Sequence, residues 1–500
     1  MKNLMTLKTF SVVSIVCASA IVCPSVANGE PSWTSAEQIP GLAALNEGHV
    51  ASVDAISCSS SGNCSIGGNY VDGSNVFQAF LASETNGVWG NAIEVPGLSS
   101  LNLGQRAIVY TISCSSNGNC AAAGSYSEAK KPNEASFVVD EVNGVWGTAV
   151  PITTPPSTST NSFSSIRFIS CPSDGNCSAV GEFSYTSRNS NWDQSFVVDE
   201  TDGVWKSAVQ VPGLQSLAKY GGVELSSIDC GAPGSCSTGG TYSLRTTHGL
   251  HSYPWVANEV DGVWGVAISV SGASELFAGS DGTTMSAISC SRPGYCTAIG
   301  YYAVGSQNAV FAINESEGRW GSVSKIALPA QIDALSCGAP GNCVATGWRY
   351  VVQTPVLLDE VGGHWQTAKS VAGLAQLPRY WVGQPDNANG SGGRSISCNA
   401  PGDCTVVGDY VQVIRQGTAL SRITSAFEVS ESSGVWGRAL EVPGLARINL
   451  GTQNFNGVED VEVSCSAPGV CGVGGDYTSA LFNHNNQYSG DQEGFIASSR

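Results

Sequence analysis

The chain has 500 residues, of which 60 are Gly and only 12% are charged, and its formal net charge is −18. Few charges combined with many Gly, Ser, Val and aromatic residues favour β-sheet and tight turns over helix. The acidic balance argues against a nucleic-acid partner, which requires a stripe of Lys and Arg. It is compatible with cationic ligands, divalent cations, neutral sugars or simple solubility.

Residues 1–27 are typical of an export signal. Lys2 and Lys8 supply the charged start, an apolar run over 10–22 follows, and Ser25-Val26-Ala27 supplies a small-residue cleavage site. No later apolar run reaches the roughly 18 residues of a membrane span. We therefore expect a secreted protein, extracellular or periplasmic, with no membrane span and one domain over residues 28–500.

The cysteines form a regular series of pairs. Two of the 18, Cys17 and Cys23, lie within the export signal, and the other sixteen form eight pairs with the spacing C-x5-C. Structural zinc sites prefer shorter spacings with a second pair or histidines nearby, so disulfides are the better interpretation in an oxidising compartment. The predicted disulfides are Cys58–Cys64, Cys114–Cys120, Cys171–Cys177, Cys230–Cys236, Cys290–Cys296, Cys337–Cys343, Cys398–Cys404 and Cys465–Cys471.

Aligned on these cysteines, the chain shows one repeated unit that predicts four strands. A short apolar strand ends at the first Cys, and a Gly-containing turn leads to a second strand that ends at Gly-x-Tyr. A third strand of the Phe-Val-Val-Asp-Glu type leads into an Asn-Gly or Asp-Gly turn, such as Asn86-Gly87, which is a strong hairpin signal. A fourth strand carries Val-Trp and ends near Pro-Gly-Leu. The pattern predicts an all-β protein, an eight-bladed β-propeller of four-stranded antiparallel blades.

The two ends of the chain predict that the ring closes. Residues 33–42 are a fourth strand with nothing before it, and residues 494–500 are a third strand with no fourth strand after it. In an open array both would be exposed edges that invite aggregation. We expect the N-terminal strand to complete the last blade, and the protein to be a monomer.

Connectivity separates the turns into two rims. The Cys-flanked turns and the Asn-Gly turns lie on a uniform rim, and the remaining connections lie on a variable rim, where binding residues are expected. Its variable segments are 126–136, 183–195, 242–255, 374–394 and 445–461. The candidate ligand face consists of the tyrosines that end the second strands and the asparagines of the Leu/Ile-Asn-x-Gly links, namely Tyr70, Tyr126, Tyr242, Tyr302, Tyr410, Tyr477, Asn46, Asn102 and Asn449. Rim packing for the tyrosines, with Phe183 in the third repeat, and a turn role for the asparagines are the alternatives.

Other repeated residues are interpreted as structural. One Trp per repeat, from Trp33 to Trp436, is expected in the core, because Trp buries a large apolar area. One Glu per repeat precedes the Asn-Gly turn and is expected to form hydrogen bonds within its own hairpin. These glutamates are Glu84, Glu141, Glu200, Glu259, Glu315, Glu360 and Glu431.

The sequence contains little recognisable chemistry. His248-x-x-His251 is the one close histidine pair and has no recognisable third metal ligand, and the polar segment 483–493 has no EF-hand spacing, so calcium is only a weak candidate cofactor. We predict no catalytic or metal-binding residue. The Glu-x-x-Gly-Val-Trp stretch resembles the Asp-box turns of sialidase-type propellers, although it lacks their Ser-x-Asp-x-Gly pattern and a clear arginine triad.

The Ile-Ser-Cys-x5-Cys-x3-Gly-x-Tyr unit is similar to repeats of secreted bacterial propeller-like proteins, and it covers nearly the whole chain after the export signal. The resemblance implies the fold and export, and it transfers no catalytic residue. We expect a binding or adhesion module that recognises an extracellular glycan or protein on the variable rim. The alternative is an extracellular glycoside hydrolase or polysaccharide lyase that uses carboxylates at the channel mouth.

Overall fold

A computed structural model describes residues 32–499 except 129–133, 156–162, 188–189, 219–220, 247–248, 277–281, 306, 350–353, 378–391, 417–418, 451–456 and 485–486. The predicted export signal with Cys17 and Cys23 lies outside the described residues. No helix in the described ranges is long and apolar enough to cross a membrane.

The fold is an eight-bladed propeller, as predicted, and each blade is an antiparallel sheet ordered from first to fourth strand. The first strands of blades 1 to 8 are Ala51–Ser60, Ala107–Ser116, Ser164–Ser173, Val223–Ala232, Thr283–Arg292, Ala330–Ala339, Gly392–Ala400 and Glu459–Ala467. The second strands are Asn63–Val71, Asn119–Ser127, Asn176–Ser187, Ser235–Thr246, Tyr295–Val304, Asn342–Arg349, Asp403–Gln416 and Val470–His484. The third strands are Phe77–Thr85, Glu134–Val142, Ser190–Thr201, Gly249–Val260, Gln307–Ser316, Pro355–Val361, Ala419–Ser432 and Gln487–Ser498.

The fourth strand of blades 1 to 7 is divided into two short segments that both pair with the third strand. The Trp-containing segments are Val88–Trp89, Val145–Trp146, Val204–Trp205, Val263–Trp264, Arg319–Trp320, His364–Trp365 and Val435–Trp436. The second segments are Ile93–Glu94, Val150–Pro151, Val209–Gln210, Ile268–Ser269, Ser324–Ile326, Lys369–Ser370 and Leu440–Glu441. Short helices follow five blades, at Leu42–Leu45, Leu214–Leu217, Ala273–Leu276, Leu374–Gln376 and Leu445–Ile448.

The hairpin between the third and fourth strands has the predicted turn chemistry. Asn86 and Gly87 have φ values of 51° and 81°, and Asp202 and Gly203 have φ values of 50° and 78°. Two successive positive φ values are the signature of a type I′ turn, which is why Asn-Gly and Asp-Gly recur at this position.

The ring closes as predicted. Each first strand contacts the first strands of both neighbouring blades, and the first strand of blade 8 contacts that of blade 1. Blade 8 takes its outer strand, Glu37–Gln38, from the N-terminus: Glu37 pairs with Ile496, and Gln38 pairs with Phe495. The two termini therefore complete one blade.

A ring of eight hydrogen bonds joins the first strands. The residue before the first Cys of each blade accepts a hydrogen bond from the backbone N–H of the first Cys in the next blade, across 2.7 to 3.1 Å. The accepting residues are Ser57, Ser113, Ser170, Asp229, Ser289, Ser336, Ser397 and Ser464. The Ser-Cys dipeptide of the repeat is thus a contact between blades, and its sequence signal is the recurrence of Ser at this position.

All eight predicted disulfides are formed, and each joins the first and second strands of one blade next to the turn on the uniform rim. Eight intrachain disulfides fit an oxidising environment.

The repeated glutamates lie between blades, so the prediction of hydrogen bonds within their own hairpins was wrong. Glu141 of blade 2 accepts hydrogen bonds from the Ser65 hydroxyl (3.1 Å) and the Ser83 hydroxyl (2.8 Å) of blade 1. Glu315 of blade 5 likewise accepts a hydrogen bond from Ser237 of blade 4, across 3.4 Å. In these two cases a hydroxyl of the preceding blade, rather than a group of its own hairpin, donates to the glutamate.

The repeated tryptophans also bridge blades, and most are half-buried rather than central to the core. The indole Nε1–H of Trp146 donates to the Ser83 hydroxyl of the preceding blade (3.0 Å), and that of Trp264 donates to Asp199 (3.1 Å). Among the described residues, the fully buried aromatic side chains are instead a third-strand series, Phe80, Phe137, Phe196, Phe311, Phe427 and Phe495, with Trp255 in blade 4 and the second-strand Tyr410 in blade 7.

Candidate functional site at the channel mouth

A β-bulge interrupts the first strand of every blade at nearly the same position. In blade 1, Val53 pairs with Gly68 and Ala55 pairs with Gly67, so Asp54 has no partner across the strand. The corresponding residues of blades 2 to 7 are Tyr110, Arg167, Ser226, Ser286, Asp333 and Arg394. In blade 8 the irregularity spans Asp460 and Val461. We call these residues the channel ring, because they lie on the innermost strands.

The glycine of the Gly-x-Tyr motif makes this bulge sterically allowed. A Cβ added at Gly68 would lie 2.0 Å from the carbonyl oxygen of Ser52, and one at Gly124 would lie 1.9 Å from that of Ile108. Only glycine tolerates so close an approach of the bulged strand. Bulges often re-aim side chains next to functional sites. Here the type of residue at the bulge differs between blades 1 to 7, which carry an acid, an aromatic, a base or a hydroxyl residue.

Two arginines of the channel ring are held by neighbouring side chains. The Arg167 guanidinium lies 4.3 Å from the ring centroid of Tyr110, and its Nε is 4.0 Å from Glu182. Arg394 forms an ion pair with the buried Asp409 of its own blade, and its Nη1 is 4.0 Å from Asp333 of the neighbouring blade. Bases and acids of the ring therefore interact across blade boundaries.

A cavity of about 380 Å³ opens beside Arg394. It is lined by Arg394, Asp409, Thr424, Val458, Glu459, Asp460, Val461 and Glu462. A cleft of about 620 Å³ lies elsewhere, between blades 6 and 7 on the uniform rim, and it is lined by the repeated acids Glu360 and Glu431. The first cavity is the one that adjoins the channel ring.

Five carboxyl groups from blades 1 and 8 form an acidic cluster beside the cavity at Arg394. They are Asp54, Glu459, Asp460, Glu462 and Asp476. Burial, together with the Asp460 carboxylate, raises the pKa of Asp54 to about 7. Burial likewise raises the pKa of Glu462 to about 7, although Ser395 donates a hydrogen bond to it.

Asp476 is the innermost member of the acidic cluster. It is 3% exposed, and its Oδ1 has no hydrogen-bond partner. Burial, followed by the charges of Asp460, Glu459 and Asp54, raises its pKa well above the usual range. Oδ1 therefore lacks the cation or donor that ordinarily compensates a buried acceptor, although the backbone N–H of Asp476 itself favours the charged form of the group.

The tyrosines of the predicted ligand face are buried. Their side chains are between 0 and 9% exposed, and they pack at the variable rim against third-strand residues, as in the pair Tyr126–Phe137. The Tyr242 hydroxyl donates to Ser269 across 3.1 Å. This placement agrees with rim packing, and a ligand role for Tyr70, Tyr126, Tyr242, Tyr302, Tyr410 and Tyr477 stays a prediction.

The three link asparagines share one structural role. The Asn46 side-chain amide donates to the Gln492 carbonyl of the preceding blade (3.0 Å), and its oxygen accepts from the Val50 N–H (2.8 Å). Asn102 and Asn449 donate in the same way to Phe77 and Thr424. All three are nearly fully buried, so they hold successive links in place.

The metal candidates of the sequence gain no support from the geometry. His248 lies outside the described residues, and the segment 483–493 is mostly strand rather than a polar loop. Among the described residues, no group of three or more His, Cys, Asp or Glu side chains is arranged to hold a metal ion.

Sequence reasoning did not find the channel ring or the acidic cluster. In blades 1 to 7 the available signal was the residue four positions before the first Cys, because its chemistry differs between repeats: Asp, Tyr, Arg, Ser, Ser, Asp and Arg.

No protein-family model and no curated protein matches the chain. Among solved structures, the Dos1 propeller aligns at 7% identity with a TM-score of 0.46, over 94% of both chains. Pyrococcus horikoshii acylaminoacyl peptidase aligns at 10% identity and TM-score 0.41, over 88% of this chain and 59% of that chain. The parainfluenza virus 5 hemagglutinin-neuraminidase ectodomain aligns at 8% identity and TM-score 0.34, over 70% of this chain and 83% of that chain. The likenesses concern the propeller fold alone.

Proposed function

We propose that the protein is an exported binding module that recognises an extracellular glycan or protein at the variable-rim end of its central channel. The observation that carries the proposal is the channel ring. Eight closely similar strands are each interrupted by a bulge, and the chemistry of the residues at the bulge changes from blade to blade. A rigid frame that presents varied side chains is the arrangement expected of a recognition site.

The bulge residues have the chemical variety that such a ligand requires. Tyr110 and Arg167 offer a stacked aromatic and cationic surface, and the remaining blades contribute hydroxyls, acids and Arg394. The Ser226 hydroxyl donates to the Met285 carbonyl of the next blade (2.6 Å), so it faces a ligand as an acceptor. The ring residues of blades 1, 6, 7 and 8 include Asp54, Asp333, Arg394 and Asp460, and these charged side chains make the surface strongly polar. A polar, asymmetric ring selects a ligand by hydrogen bonds and charge rather than by apolar area.

The acidic cluster favours a second candidate, a glycoside hydrolase or polysaccharide lyase. A carboxyl group with a pKa of about 7, as for Asp54 and Glu462, is substantially protonated near neutral pH. That is the state that a general acid requires, and a neighbouring ionised carboxylate is the second component of glycoside hydrolysis.

The test is a screen of the purified protein on arrays of glycans and extracellular proteins, with two matched variants. Arg167→Ala removes an arginine stacked on a tyrosine at the channel ring, and Arg292→Ala removes an arginine that lies 4.0 Å from the Tyr295 ring centroid at the uniform rim. We expect Arg167→Ala to weaken binding and Arg292→Ala to leave it unchanged. Equal effects of the two variants, or no array ligand for the wild-type protein, would contradict the proposal.

The enzyme alternative is decided on the ligands that the screen finds. Each is incubated with the wild-type protein and with Glu462→Gln, and the products are followed by mass spectrometry. Cleavage that the variant abolishes while binding persists supports the hydrolase or lyase. Binding without any cleavage supports the module.

A further inference from the structure

The hairpins between second and third strands differ in length, and the long ones occur in adjacent pairs. In blades 1 and 2 the pairing ends at Val71–Phe77 and Ser127–Glu134, seven residues beyond the second Cys. In blades 3 and 4 it continues to Ser187–Ser190 and Thr246–Gly249, ten residues beyond. In blades 7 and 8 it continues to Gln416–Ala419 and His484–Gln487, twelve and thirteen residues beyond.

Blades 5 and 6 are short again. Their pairing ends at Val304–Gln307 and Trp348–Pro355, eight and five residues beyond the second Cys. At roughly 3.3 Å per residue, the long hairpins extend about 10 to 20 Å farther than those of blades 1 and 2.

In a ring of eight, blades 3 and 4 lie opposite blades 7 and 8. The four long hairpins therefore form two facing walls on the variable rim. The described strands of blades 1, 2, 5 and 6 are shorter and leave a space between these walls. We call this space the trough. It crosses the channel mouth, so an occupant that follows it passes directly over the channel ring.

The acidic cluster lies in the floor of this trough, at the foot of the wall formed by blade 8. Asp460 is exposed to the channel mouth, Asp54 and Glu462 are half-buried, and Asp476 is nearly fully buried with Oδ1 unpaired. Electrostatic repulsion from Asp460, Glu459 and Asp54 acts on Asp476. Oδ1 of Asp476 is itself covered, so a cationic group would pair with the exposed Asp460 and thereby relieve the repulsion on Asp476.

Resting on the proposed function, we propose that the trough holds an extended basic polypeptide segment, with one lysine or arginine side chain descending into the channel mouth to pair with Asp460 at the edge of the acidic cluster. The trough requires a linear occupant, and acids recessed in its floor require a cation on a long, narrow stem. Lysine and arginine provide both. An ammonium attached directly to a sugar ring has no such stem, and the described acids are not arranged around a metal ion.

The test measures binding of labelled hexalysine to the full chain at physiological salt by fluorescence anisotropy. The comparison ligands are hexalysine with acetylated side chains, spermine as a short flexible cation, and a chitosan hexamer as a cationic glycan. We expect hexalysine to bind most tightly and the acetylated peptide not to bind. Equal binding of the acetylated peptide, or tighter binding of spermine or of the chitosan hexamer, would overturn the proposal.

Two charge variants separate the site from the acidic surface. Asp460→Asn removes the exposed carboxylate of the acidic cluster at a position with φ 46°, and we expect it to weaken hexalysine binding about tenfold or more. Asp202→Asn removes the same charge from a turn of the uniform rim, where Asn86 and Asn143 occupy the equivalent position with the same positive φ. Equal weakening by both variants would show a nonspecific charge effect and overturn the proposal.

The walls are tested by shortening one of them. Replacing residues 414–421 with Asn-Gly connects Val413 and Arg422, which already pair, through a two-residue turn. We expect weaker hexalysine binding with unchanged thermal stability, and unchanged binding would overturn the trough as the site. If array ligands bind in an Arg167-dependent manner but hexalysine does not, only this inference fails. If neither binds, the proposed function fails as well.

Discussion

The Ser464 hydroxyl of blade 8 accepts a hydrogen bond from the backbone N–H of Cys58 in blade 1, across 2.9 Å. It is the member of the eight-bond ring that joins the last blade to the first. Replacing Ser464 with Ala leaves the N–H of the largely buried Cys58 without its acceptor, which typically costs about 1 to 3 kcal/mol. We expect a lower urea midpoint for Ser464→Ala, a near-normal one for Ser464→Thr, and no change for Ser61→Ala in an exposed turn. Coincident curves for the three variants would contradict a closing role for this bond.

The N-terminal strand is expected to stabilise the last blade. Deleting residues 33–42 removes Glu37 and Gln38, which pair with Ile496 and Phe495, and exposes the edge of the strand Gln487–Ser498. We expect a lower melting temperature and faster amide hydrogen exchange in that strand than in the third strand of blade 4. Unchanged exchange at 495–498 would mean that blade 8 does not depend on its N-terminal strand.

The repeated glutamates predict that stability falls as the pH rises. Burial, aided by a neighbouring aspartate, raises the pKa of Glu200, Glu259 and Glu431 to about 7, from the ordinary value of 4.5. Because the folded-state pKa is raised, the stabilising contribution is complete below about pH 4.5 and is lost as the pH rises through 7. We expect unfolding free energy to fall between pH 5 and pH 8, by on the order of 1 kcal/mol for each glutamate.

The triple variant Glu200→Gln, Glu259→Gln, Glu431→Gln isolates this effect from the acidic cluster, which titrates in the same direction. Its unfolding free energy should change less with pH than that of the wild-type protein. Parallel profiles would show that the pH dependence arises elsewhere.

Asp229 occupies the position at which the other seven blades have serine. Its carboxylate accepts hydrogen bonds from the N–H groups of Cys230 (2.8 Å) and Cys290 (2.7 Å), and burial raises its pKa. The stabilising contribution of a raised carboxyl pKa is lost as the pH increases. Asp229→Ser should therefore gain thermal stability relative to the wild-type protein at pH 8 but not at pH 4. Ser289→Asp provides the reverse change in the next blade and should lose stability at pH 8; the same shift at both pH values would contradict the titration argument.

Periodicity made the architecture predictable. The cysteine spacing, the Asn-Gly turns and the half-blades at the two termini are local signals that recur eight times, and blade number, disulfides and closure follow from them. The recurrent serine before the first Cys marks one contact between blades, but the repeated glutamate does not reveal its partners in the same way. The sequence placed Glu141 beside its own turn, whereas its hydrogen-bond donors, Ser65 and Ser83, lie in the preceding blade.

The candidate site was harder to predict for two physical reasons. A bulge shifts the strand register by one residue, and alternation of polar and apolar residues cannot locate such a shift. The acidic cluster unites Asp54 with Asp476, residues that only ring closure brings together. The variable segments 183–195 and 242–255, expected as loops, contain strand extensions instead, so the trough depends on hairpin length rather than on loop conformation.

Closure of blade 8 also brings the first and last strands of the propeller together. Trp33 and Ser499 form an antiparallel bridge next to the uniform rim, on the side away from the trough. A fusion partner joined at Trp33 or Ser499 would therefore emerge at the uniform rim, away from the channel mouth. The same proximity suits circular permutation: a short linker from Ser499 to Trp33 would allow the ring to be opened at an Asn-Gly turn while every blade keeps its strands.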